Sequence, residues 1–88
     1  MTAHILMYSS AVCSFCMMAE RLLTAKGVAG SIEKIRVDLD PQQRIEMMQK
    51  TGRRTVPQIY IGDTYVGGFE ELNALERAGK LDALLQGA

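Results

Sequence analysis

Ile5-Leu6-Met7-Tyr8 is apolar at four successive positions. Successive side chains of a strand point to opposite faces, so an extended run like this must be covered on both. Such a run suits a central strand of a largely parallel sheet, with helices packed against each side. This run, like every other apolar stretch of the chain, is far shorter than the ~20 residues that span a bilayer.

The segments that follow supply the covering elements. From Ser14 to Lys26 the spacing is helical, with Met18, Leu22 and Ala25 on one stripe and Ala19 and Leu23 beside it. Gly27 stands where a left-handed cap is expected. Ile32 to Val37 alternates, setting Ile35 and Val37 against Lys34 and Arg36, which predicts a half-exposed strand near a sheet edge. Asp40-Pro41-Gln42-Gln43 is a helix start, with Asp40 as cap, Pro41 at the first helical position and Gln43 closing a capping box. That helix is expected to turn Ile45 and Met48 inward and to stop at Gly52. Gln58 to Ile61 and Thr64 to Val66 flank Gly62-Asp63, a two-residue hairpin signal. Phe69 to Ala78 predicts a third helix with Leu72 and Leu75 inward, broken by Gly79. Leu81, Leu84 and Leu85 add a short terminal one. The predicted order is β-α-β-α-β-β-α, a mixed four-stranded α/β sheet with helices on both faces.

The chain has 88 residues, 48% of them hydrophobic and 23% charged. That is one domain, residues 1–88, with an expected radius of gyration of roughly 12 Å. Ten basic side chains balance ten acidic ones, which gives no electrostatic case for nucleic acid or an anionic membrane as partner. Met1-Thr2-Ala3-His4 lacks the charged start and long apolar stretch of a signal peptide, so a cytoplasmic setting is expected.

Both cysteines lie in one window, Cys13-Ser14-Phe15-Cys16, where the first strand gives way to the first helix. A bridge across so short a loop removes little chain entropy and is a poor staple. Half a zinc site is one alternative, but zinc takes four ligands and His4 is the single histidine. Two incidental core cysteines are another. Redox chemistry is favoured, because unpaired N–H groups and the helix dipole at a helix start stabilise a thiolate. Cys13 is then the attacking residue and Cys16 the resolving one, with Phe15 walling the site.

Cys13-Ser14-Phe15-Cys16, Thr55-Val56-Pro57 and Gly67-Gly68-Phe69-Glu70-Glu71, at these spacings, resemble the glutaredoxin family, in particular its bacterial dithiol (glutaredoxin 3-like) type. The likeness runs from Ile5 to Leu85, and a short form without the extra N-terminal strand and helix of thioredoxins is expected. The resemblance implies a thioredoxin-like fold and a glutathione-dependent thiol–disulfide oxidoreductase, expected as a monomer. Its partners would be glutathione and glutathionylated or disulfide-containing proteins. No metal is expected.

By the same resemblance, Cys13 takes glutathione into a mixed disulfide, which a second glutathione or Cys16 releases. Thr55, Val56 and Pro57 resemble the family's cis-proline loop, with the Val56 backbone pairing with the cysteinyl unit of glutathione as an added strand would. Gly67 and Gly68 resemble a turn that admits close approach of backbone to ligand. Glu70 and Glu71 align with positions that hold the γ-glutamyl end. The Glu71 side chain would take the ammonium, whereas the Glu70 side chain is better read as a favourable first-turn charge. Arg53 and Arg54 supply a basic residue for the glycine carboxylate, unless they form only a solvated turn. Gln43 is a lesser candidate, since capping accounts for it.

The sequence departs from the family pattern at Ser14, commonly proline, at Ser10, commonly basic, and at Glu71, commonly aspartate. Some glutaredoxins without that proline bridge a two-iron, two-sulfur cluster between two chains, in which case Cys13 would be a ligand. A thioredoxin-like protein disulfide reductase that ignores glutathione is the other alternative.

Overall fold

The computed structural model describes residues 2–87, so Met1 and Ala88, at the ends of the expected domain, lie outside the described residues. The elements are β1 (Ile5–Ser9), α1 (Ser14–Ala25), a 3-10 turn (Ala29–Ser31), β2 (Ile32–Arg36), α2 (Pro41–Thr51), β3 (Gln58–Ile61), β4 (Thr64–Gly67), α3 (Phe69–Arg77) and α4 (Leu81–Leu85). The expected order holds, with the 3-10 turn added. The strands form one mixed sheet in the order β2-β1-β3-β4. β1 runs parallel to β2 and antiparallel to β3, and β3 pairs antiparallel with β4. β2 is therefore an edge strand, as its alternation predicts, and the radius of gyration is 12.1 Å.

β1 is covered on both faces. Ile5 and Met7 enter a core with Ala19 and Leu23 of α1, Ile59 and Ile61 of β3, Leu72 of α3, and Leu81 and Leu85 of α4. Tyr8 faces the other way into a core with Val37 and Met47, against which Leu6, Met48 and Tyr60 also pack. Three helices thus cover one face of the sheet and α2 the other. Each fully buried Leu or Met in these cores contributes about 1.5–3 kcal/mol of hydrophobic stabilisation.

Local signals set the helix ends. Asp40 caps α2 by accepting from the Gln42 N–H at 3.0 Å, and Pro41 is the first helical residue. Gly52 closes α2 at φ 71°, a left-handed conformation that costs glycine nothing. Two expectations about helix faces are corrected. On α2 the residue driven fully inward is Met47, while Ile45 is 47% exposed. On α1 the buried line is Cys16, Ala19 and Leu23, while Met18 is 42% exposed and Ala25 is also exposed. In both helices the apolar residues extend around more than one face, so periodicity alone left the contact face undetermined. The position of the sheet selected it.

Candidate active site

The turn after β1 delivers Cys13 to the start of α1. Cys13 is extended, at φ -154° and ψ 99°, and caps the helix: its Sγ accepts from the Cys16 N–H at 3.1 Å. An amide of a helix start aimed at sulfur stabilises the anionic form of that sulfur. Cys13 and Cys16 are joined as a disulfide, with Cα atoms 5.2 Å apart. Cys16 is buried, whereas Cys13 is part-exposed at the surface. The approach to Cys13 is tethered from the turn after β2. The Ala11 N–H donates to Asp38 Oδ2 at 3.3 Å, and Arg36 grips that carboxylate at 2.7 and 2.6 Å. The Arg36 hydrogen bonds, helped by the Ala11 N–H, hold the Asp38 pKa down to about 2.

Facing the sulfur is the loop before β3. The Val56–Pro57 bond is cis, and the Val56 carbonyl oxygen lies 3.5 Å from Cys13 Sγ. Pro57 is buried just before β3, where a missing N–H is tolerated. Gly68 passes close behind it: a Cβ on Gly68 would sit 3.4 Å from the Pro57 carbonyl oxygen. The double glycine therefore brings the start of α3 against the loop.

Between Phe15, this loop and α3 lies an open groove of about 280 Å³; Cys13 is not among its lining residues and adjoins it through Val56. Phe15 walls one side, 54% exposed, its ring stacked on Phe69 with centroids 6.3 Å apart. Thr55, Val56 and Pro57 line it from the loop, and Gly68, Glu70 and Glu71 from the start of α3. Arg53 enters from the loop and donates to Glu71 Oε1 at 2.8 Å. The same oxygen accepts from the Gly68 N–H at 2.8 Å, closing the first turn of α3 from within. The Gly68 N–H and then Arg53 lower the Glu71 pKa below the usual carboxylate range. Glu71 thus already has two partners, one of them a cap on its own helix.

Of the residues singled out from sequence, Phe15, Arg53, Thr55, Val56, Pro57, Gly68, Glu70 and Glu71 come together in this groove beside Cys13. Arg54 stays outside it, exposed, with its carbonyl accepting from Arg44 at 3.0 Å. Gln43 lies on α2, away from the groove. Two lining residues went unrecognised as site residues, Phe69 and Gln58. The available signal for Gln58 was an amide at the head of the otherwise apolar strand Gln58-Ile59-Tyr60-Ile61, beside Pro57. Among the described residues no three His, Cys, Asp or Glu side chains cluster as a metal site, and no helix is long and apolar enough to cross a membrane.

Comparison with known proteins places this geometry in context. The glutaredoxin family model matches residues 5–66. The glutaredoxin of Neisseria meningitidis serogroup B is 53% identical over 79 residues, covering 90% of this chain and 92% of that protein. Glutaredoxin 3 of Escherichia coli K12 is 39% identical over 84 residues, covering 96% and 99%. Among solved structures, the Brucella melitensis glutaredoxin superposes with a TM-score of 0.84 at 40% identity, covering 97% of this chain and 90% of that one. A buckwheat glutaredoxin–glutathione complex superposes with a TM-score of 0.86 at 27% identity, covering 94% and 76%.

Proposed function

The chain belongs to the glutaredoxin family, and from that premise we propose that it is a glutathione-dependent thiol–disulfide oxidoreductase acting through Cys13 and Cys16. The observation that carries the reading is the position of Cys13 Sγ. It caps α1, is part-exposed, and stands 3.5 Å from the Val56 carbonyl at the edge of a groove. That a relative was solved as a glutathione complex supports the choice of thiol.

The reaction runs in two exchanges. The Cys13 thiolate attacks the glutathionyl sulfur of a mixed disulfide, and the protein sulfur leaves as a thiolate that takes a proton from water. A second glutathione thiolate then attacks the glutathionyl sulfur held on Cys13, releasing glutathione disulfide and restoring the Cys13 thiolate. Protein disulfides use the other branch, in which Cys16 displaces the product from Cys13 and leaves the Cys13–Cys16 disulfide. Two glutathiones then reduce that bond.

The groove offers complementary contacts for the tripeptide. The Val56 backbone pairs with its cysteinyl unit as an added strand would. Arg53 takes its glycine carboxylate in exchange for Glu71. The N–H groups of the first turn of α3, around Glu70, face the γ-glutamyl carboxylate. Glu71, released from Arg53 in that exchange, is then available to the ammonium.

The test is reduction of a glutathionylated peptide by glutathione, coupled to glutathione reductase, for the wild type, Cys13→Ser and Cys16→Ser. Cys13→Ser is expected to be inactive, since it removes the nucleophile. Cys16→Ser is expected to keep most of the activity, because external glutathione resolves the intermediate. Equal behaviour of the two variants would overturn this assignment of roles. A silent wild type that turns over with thioredoxin reductase would replace this function with a thioredoxin-like one.

A further inference from the structure

Gln58 is a fully buried polar side chain at the head of an apolar strand. Its surroundings account for both ends of the amide. Nε2 donates to the Thr55 carbonyl at 2.9 Å and lies 3.3 Å from Thr55 Oγ1, while Oε1 accepts from the Tyr65 hydroxyl. Tyr65 comes from β4, its ring tilted against Tyr60 with centroids 5.1 Å apart. The Thr55 carbonyl can only accept, so it decides which way the amide points, and the Tyr65 hydroxyl, which can donate, meets the Oε1 end. Turned over, the amide would set its oxygen against the Thr55 carbonyl, acceptor against acceptor.

We propose that Gln58 and Tyr65 are positioning residues for the substrate: together they hold the loop from Thr55 to Pro57 so that the Val56 backbone is presented to an incoming glutathionyl group. The Thr55–Pro57 loop belongs to no strand, so its geometry depends on side-chain ties such as these. Gln58 ties it from one residue beyond Pro57, and Tyr65 fixes Gln58 from the neighbouring strand. Neither side chain needs to touch the reacting sulfur. The effect is on binding of substrates that carry a peptide backbone on both sides of the cysteinyl unit. The inference rests on the glutathione reading above, in which that backbone pairs with Val56.

The experiment compares wild type, Tyr65→Phe and Gln58→Met on one peptide presented either glutathionylated or cysteinylated. A free cysteinyl group has no flanking amides and cannot pair with Val56 as a strand does. Tyr65→Phe keeps the ring and removes one neutral hydrogen bond, so KM for the glutathionylated peptide is expected to rise roughly fivefold. Gln58→Met raises it further, and kcat stays within about twofold in both variants, the signature of lost binding rather than lost chemistry. KM for the cysteinylated peptide is expected to be unchanged. An equal loss on both substrates, or no loss for Tyr65→Phe, would overturn the proposal and leave the pair a purely structural contact. If Gln58→Met does not fold, Tyr65→Phe decides alone. A wild type without glutathione-supported turnover would defeat the underlying function and this inference with it. An active wild type with unaltered variants would defeat the inference only.

Discussion

Glu71→Ala tests the electrostatic frame of the groove. The carboxylate makes two bonds, one to the Gly68 N–H and one to Arg53, each at 2.8 Å. Loss of a side-chain cap costs about 1 kcal/mol, within a range of roughly 0.5–2. The ion pair is exposed, with side chains 48% and 40% accessible, so it contributes only about 0.2–1 kcal/mol. Alanine returns about 0.4 kcal/mol in helix propensity. The net loss is about 1.2 kcal/mol, which in a domain of this size lowers Tm by roughly 5–10 °C. Its pH dependence follows from the depressed Glu71 pKa, caused first by the Gly68 N–H and then by Arg53. A carboxyl whose folded pKa lies below its unfolded value of 4.5 contributes fully above that value. The contribution is lost as pH falls through the folded pKa. Melting of wild type and Glu71→Ala by circular dichroism should show the full gap at about pH 7 and a shrinking one as the solution is acidified below the unfolded value. Groups common to both proteins cancel in the difference. A gap that does not shrink on acidification, or none at neutral pH, would refute the reasoning.

Two further perturbations probe the packing behind the site. Met47→Ala is expected to cost about 2–5 kcal/mol, since it empties a fully buried position between α2 and the sheet. Ile45→Ala, on an exposed position, should stay within about 0.5 kcal/mol, and urea unfolding of the pair checks which face of α2 is inward. Gly67→Ala is expected to cost about 1–3 kcal/mol, because φ is +112° there and the new Cβ meets the Glu71 carboxylate. Combined with Glu71→Ala its cost should fall, since the obstructing group is gone. Strict additivity in that double-mutant cycle would contradict the contact.

Much of the fold was legible in the sequence because its signals are local. Asp40-Pro41 starts a helix and Gly52 stops one whatever lies elsewhere, and Gly62-Asp63 turns a hairpin on its own geometry. The apolar run from Ile5 to Tyr8 demanded cover on two faces and received it. The helix faces were less legible. Met47 and Ile45, like Cys16 and Met18, are near neighbours of apolar character, and only the direction of the sheet separates inward from outward. The same limit applies in the groove. Arg53 and Arg54 are chemically alike in sequence, yet only the first lines it.

By itself the sequence determined the order of elements, their ends, and a cysteine pair at a helix start, since each depends on residues within a few positions of one another. Tertiary structure alone decided that Val56, 43 residues on, sets its carbonyl beside Cys13, and that Tyr65 of β4 reaches Gln58 at the head of β3. It also decided that Arg53, 18 residues before it, reaches the Glu71 carboxylate. Those pairings arise where the sheet brings distant segments within hydrogen-bond reach, and hydrogen bonds act only over about 3 Å.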